Sequence, residues 1–129
     1  MSKQKGVAAA EALSRVVVKG MQEKKAEDIV VMDLRNIANA VADFFVICTG
    51  NSDTHIDAIA ESIDKEVSQY NGESPWHREG QHNKTWILLD YIDVVAHVFN
   101  QAQREFYNLE ALWGDAVITR YEDMTVQAD

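Results

Sequence analysis

Trp86-Ile87-Leu88-Leu89-Asp90-Tyr91-Ile92-Asp93-Val94-Val95-Ala96-His97-Val98-Phe99 is the stretch on which the fold turns. Its two apolar halves, 86–90 and 93–99, are joined only by Tyr91 and Ile92, a link too short for anything but an antiparallel hairpin. Upstream, Ile29-Val30-Val31-Met32 within Asp28 to Leu34 and Phe44-Phe45-Val46-Ile47-Cys48-Thr49 are unbroken apolar runs, as strands covered on both faces require. Between the second run and the hairpin, Ile56, Ile59, Ala60, Ile63, Val67 and Tyr70 fall on one helical face while Glu61, Asp64 and Glu66 stay outside, with Ser52 or Asp53 as the cap. A crossover through residues 53–70 permits parallel neighbours and the hairpin demands antiparallel ones. The fold class is therefore α/β, a mixed β-sheet packed by helices, and a purely doubly wound sheet is excluded.

The flanks complete this order. Val7, Ala10, Leu13, Val16, Val17 and Met21 draw one stripe on a first helix, whose last turn Gly20 weakens. Asn71 to Pro75, with the only proline, stops the second helix, and Trp76 to Thr85 is polar enough to be an exposed loop. A last helix is expected over Gln101 to Leu112, broken near Asn108, and a short strand at Ala116-Val117-Ile118 precedes an acidic tail. No repeat or linker interrupts the chain, so residues 1–129 read as one domain with an ordered core of about 7–119 and a tail over 120–129.

Composition narrows the function classes. The 129 residues are 47% hydrophobic and 26% charged, as in a globular domain that folds alone. A single cysteine, Cys48, permits no intrachain disulfide, and no apolar run approaches the ~20 residues of a membrane span, so a reducing cytoplasm is the expected location. The net charge of −9 leaves no Lys/Arg surplus to displace counterions from a phosphate backbone; a basic protein surface is the better partner.

Chemistry-bearing constellations read as structural. Asp90 and Asp93 flank a tight turn, so they are expected to accept hydrogen bonds from its N–H groups rather than share a cation as a D-x-D pair would. Gly50-Asn51-Ser52 opens a helix without a G-x-G-x-x-G or P-loop lysine and is read as a cap. His77 and His82 are read as solvated loop residues, and Cys48, in an apolar strand, as core. His97 shares a strand face with Val95 and Phe99 and is expected to be half buried. No catalytic residue, metal site or cofactor is implied. What remains is an aromatic and apolar concentration in the last third, with Tyr91 and Ile92 expected at an exposed tip, as interface anchors are.

The blocks Trp86–Asp90, Asp93–Phe99, Arg104-Glu105-Phe106-Tyr107-Asn108-Leu109-Glu110 and Leu112-Trp113 resemble the signature of the ribosomal silencing factor (Iojap-like) family. Asp28–Arg35, Ala42–Ile47 and Thr49–Asp53 are similar to the family's first half, and the likeness spans most of Val7 to Asp115. Two departures stand out: Ile92 where the family often has glycine, and a divergent loop over Gln81 to Thr85. The resemblance implies a nucleotidyltransferase-like topology. It also implies a regulatory protein that binds ribosomal protein L-fourteen of the large subunit, blocks subunit joining and assists large-subunit maturation. The expected partner surface is Trp86, Leu89, Tyr91, His97, Tyr107, Leu109, Leu112 and Trp113. Two other readings follow from the same likeness: a nucleotide-binding or nucleotidyltransferase-like enzyme by analogy of fold, against which stands the missing D-x-D pair, and a homodimer that uses the aromatic surface for self-association.

Overall fold

A computed structural model describes residues 2–122, with side chains from Ala9 onward. The elements run α1 (Ser2–Glu23), β1 (Glu27–Asp33), β2 (Phe44–Thr49), α2 (Asp53–Asn71), β3 (His77–Glu79), β4 (Trp86–Asp90), β5 (Val94–Phe99), α3 (Gln101–Tyr107), α4 (Leu109–Leu112) and β6 (Val117–Arg120). They build one sheet in the order β3-β4-β5-β2-β1-β6. The central pair β2 and β5 is parallel and every other pairing is antiparallel, which is the mixed sheet that the hairpin and the α2 crossover require.

β2 and β5 are buried at every position, which explains their unbroken apolar sequences. Phe44, Val46, Cys48, Val94, Ala96 and Val98 face α1 and α2, together with Ile87 and Leu89 of β4. Each side chain so enclosed contributes about 1.5–3 kcal/mol relative to leaving it in water. Phe45, Ile47, Val95 and Phe99 point the other way, where no long helix lies; the segment after β1, with Leu34 and Ile37, and Leu109 and Trp113 beyond α3 pack there instead.

Gly20 has a role beyond the expected weakening of α1. A Cβ at this position would meet the Ile63 Cα at 2.8 Å, and the Ser62 hydroxyl donates to the Gly20 carbonyl at 2.7 Å, so the missing side chain is what lets α1 and α2 pack closely. Of two helix caps, the one on α2 is expected from the sequence at Ser52 or Asp53. The Ser52 hydroxyl accepts from the His55 N–H at 3.0 Å, and the Asn100 side chain accepts from the Gln103 N–H at 2.8 Å. Asn108, left-handed at φ 45°, separates α3 from α4, as the expected break near that residue anticipates.

Part of the loop expected over Trp76 to Thr85 is the edge strand β3, where His77, Arg78 and Glu79 pair with Asp90, Leu89 and Leu88. Gly80 ends it at φ +91°, where a Cβ would fall 1.9 Å from the Trp86 carbonyl oxygen. Arg120 belongs to β6 and not to the tail, the Tyr121 N–H still donates to the Ile29 carbonyl at 2.9 Å, and residues 123–129 of the expected acidic tail lie outside the described residues. Among the described residues no helix is long and apolar enough to cross a membrane.

Candidate interaction surface

The two faces of the sheet divide the residues that sequence reasoning placed on one surface. Trp86 and Leu88 alternate with Ile87 and Leu89 along β4, so the first pair stands on the face opposite α1 and α2, half-buried, while Leu89 is fully enclosed beneath the helices. Leu89 is therefore a core residue. Tyr91 is corrected for a related reason. The turn folds its ring back under α1 and α2, leaving it 6% exposed, and Ile92 alone forms the tip. His97 is buried rather than half-buried, and Leu109 is buried against the open face of the sheet.

The turn explains why Ile92 is thrust outward. The Asp93 N–H donates to the Tyr91 carbonyl at 3.0 Å across a single residue, a γ-turn that holds Ile92 at φ 76°. Asp90 accepts from the Ile92 N–H at 2.7 Å, the turn role expected of it. Asp93 acts differently: its main-chain carbonyl accepts from Asp43 and Phe44 and thereby ties the hairpin to the start of β2.

Trp86, Tyr107 and Trp113 stay together with His97 at their centre. Trp86 stacks on Phe99 with ring centroids 4.8 Å apart and lies 4.6 Å from Tyr107, which in turn meets Phe106 edge-on at 5.0 Å. Phe45 carries contacts to the other side, to His97 at 4.6 Å and Trp113 at 6.2 Å. Such pairs add about 0.5–1.5 kcal/mol each beyond burial, so the aromatic layer is a firm platform. Its outer members are open to water: Phe106 is 77% exposed, Leu112 69% and Tyr107 44%. Glu105 and Asp115, also exposed, lie in the same stretch of chain. Leu88 and Phe106 were missing from the expected surface. Strict alternation from Trp86 gives Leu88, whereas the outward side of a helix as short as α3 has no sequence signature.

The His97 Nδ1 accepts from the Trp86 Nε1–H at 3.1 Å, which puts the ring proton on Nε2, and that atom has no partner among the described residues. Burial lowers its pKa to about 3, so the ring is neutral throughout the physiological range. Burial pushes the Cys48 thiol far up, which leaves it a packing residue.

Residues 7–129 match the family model described as ribosomal silencing factor during starvation. The chain belongs to the ribosomal silencing factor family. It is 44% identical over 102 residues to the ribosomal silencing factor of Bacillus subtilis, covering 79% of this chain and 85% of that one. It is 42% identical over 110 residues to the ribosomal silencing factor of Halalkalibacterium halodurans, covering 85% and 92%. The chloroplastic Iojap protein of Zea mays is 38% identical, with 83% of this chain and 46% of that longer protein covered. The fold is shared with a crystal structure from Bacillus halodurans at 39% identity and TM-score 0.70, covering 83% of this chain and 97% of that one. A Chromobacterium violaceum structure matches at 28% identity and TM-score 0.76, covering 81% and 85%. The family is that of a ribosome-associated silencing factor, which is regulatory rather than catalytic.

Proposed function

We propose that this chain binds the large ribosomal subunit through ribosomal protein L-fourteen and, by occupying the intersubunit face, keeps the small subunit from joining and so lowers translation. The observation that carries the proposal is the aromatic platform: Trp86, Tyr107, Trp113, Phe106 and Leu112, rooted in a sheet buried on its other side and open outward. Apolar aromatic anchors with a polar rim are the usual energetic centre of a protein interface, and a net charge of −9 favours a basic protein over bare phosphates. The action is steric and requires no chemistry from the chain. In this reading it works in the cytoplasm, assists large-subunit maturation by the same contact, and uses the same face for a homodimer away from the ribosome.

Sedimentation with separated subunits tests the proposal, followed by addition of the complementary subunit. The protein should travel with the large subunit and reduce the joined fraction. Tyr107→Ala and Leu112→Ala remove exposed side chains and leave the fold intact; each should weaken binding about 30-fold, the loss of one anchor worth ~2 kcal/mol. If both variants bound as the wild type does, the platform would not be the docking surface. A wild-type protein that stayed at the top of the gradient at low and moderate salt would end the ribosomal reading.

A further inference from the structure

At the turn of the hairpin, on the α1 and α2 face opposite the aromatic platform, lies an open cleft of about 420 Å³ between α1, the end of α2 and the β4–β5 turn. Its inner wall is apolar, with Ala10 and Leu13 of α1. Its rim carries the exposed Glu73 and Asp93 carboxylates, neither held by a hydrogen bond or ion pair among the described residues, beside the ring of Tyr70, 54% exposed. Tyr91 also lines the cleft; it is 6% exposed, and its hydroxyl has no hydrogen-bond partner among the described residues.

An unpaired buried hydroxyl costs about as much as a lost hydrogen bond, and a fold retains one where something else can use it. What could use this one is fixed by sign. The phenol stands in the negative field of Asp64 and Glu73, relieved among the described residues by Arg78, which is already paired with Asp64. Asp93 in turn helps to push the Asp43 carboxyl upward, after burial itself and with Arg35 acting against it, so carboxylates outnumber the cations that act on these groups. An anion is repelled, and a neutral ligand would desolvate two carboxylates for nothing. A cation on an aliphatic stem satisfies every surface present.

We propose that this cleft binds an alkylammonium group, the end of a lysine side chain or of a polyamine. Its methylenes lie on Ala10 and Leu13, the rim carboxylates Glu73 and Asp93 hold the charge, and the Tyr91 hydroxyl accepts one ammonium N–H. The proposal stands on its own observations and does not depend on ribosome binding.

The test is an amide NMR titration of the full chain at about 0.15 M salt, where long-range attraction is screened. One arm uses spermidine and the other a tetralysine peptide. Saturable shifts confined to Ala10, Leu13, Asn71, Glu73 and Asp93 are expected, and whichever probe binds tighter identifies the source of the cation. Tyr91→Phe keeps the ring and changes no charge; it should weaken binding about tenfold, the loss of one charge-assisted hydrogen bond, while leaving the chain at least as stable. Glu73→Gln should weaken binding likewise. Shifts that spread over the whole acidic surface without saturating, or an unchanged affinity in Tyr91→Phe, would overturn the proposal.

Discussion

His97 sits at the centre of the aromatic platform as a neutral imidazole, and this makes stability depend on pH through one residue. Its native pKa of about 3 lies below the ordinary value of 6.5, so the unfolded chain takes up a proton that the native chain refuses. The stabilisation is complete above about pH 6.5 and drains away as pH falls toward 3, at about 1.4 kcal/mol per pH unit. Between pH 6.5 and 4.5 the unfolding free energy should fall by about 2–3 kcal/mol. His97→Asn cannot take up this proton and should flatten most of that slope in urea titrations, although it is less stable at pH 7. Two carboxyls act in a lower window. Arg35 beside Asp33, and Arg104 against the burial of Glu110, hold those groups below the usual range, so their stabilisation is lost only as pH falls through the acid range. Burial and Asp93 push Asp43 the other way and oppose that loss. At the hairpin tip the residue-scale effect is strain. Ile92 is β-branched, 60% exposed, and held at φ 76° by the γ-turn. Relieving about 1–3 kcal/mol of strain while adding about 0.5–1 kcal/mol of glycine entropy leaves Ile92→Gly more stable by about 1 kcal/mol. A melting temperature higher by about 3–4 °C checks it; no rise would mean the turn relaxes around isoleucine without cost.

At the scale of elements, the contact between α1 and α2 sets propensity against packing. Alanine exceeds glycine in a helix by about 1 kcal/mol, so Gly20→Ala would stabilise a free α1. In the protein the new Cβ would press on the Ile63 backbone at 2.8 Å, and backbone cannot rotate away. Forcing the helices apart costs about 1–3 kcal/mol and stretches the Ser62 to Gly20 hydrogen bond, worth about 1 kcal/mol more. Packing wins, and the denaturation midpoint should fall by an amount equivalent to about 1–3 kcal/mol at an unchanged m-value; a stabilised variant would show that the helices slide freely. The same contrast explains which elements are legible in sequence. β2 and β5 are legible because burial acts on each of their residues, and α2 because it acts on one face and leaves a helical period in the sequence. β3 is not, since His77, Arg78 and Glu79 are held by main-chain bonds to β4 that any residues could make. The aromatic platform is legible as a concentration of residue types, and period-two alternation separates Leu89 from Trp86. The burial of Tyr91 is not legible, because it depends on where two distant helices come to rest on the sheet.

For the whole molecule, charge and shape act at different distances from the proposed partner. A chain of this length has a radius of gyration of about 14 Å, bulk enough to hold two subunits apart wherever the contact is rigid. A net charge of −9 attracts a basic ribosomal protein but is repelled by the phosphate backbone that surrounds it. The two fields should therefore separate in kinetics. With isolated L-fourteen, raising salt from about 50 to 300 mM should slow association several-fold by screening the attraction, with little change in dissociation. With the intact large subunit the same salt should leave association level or quicken it, because it also screens the repulsion by RNA. Tyr107→Ala should act on the other rate in both cases, speeding dissociation, since the platform makes its contacts only after encounter. Stopped-flow measurement on the two targets reads all of these rates. Association that slowed with salt on the intact subunit as steeply as on the isolated protein would mean that the RNA field does not reach the docking site.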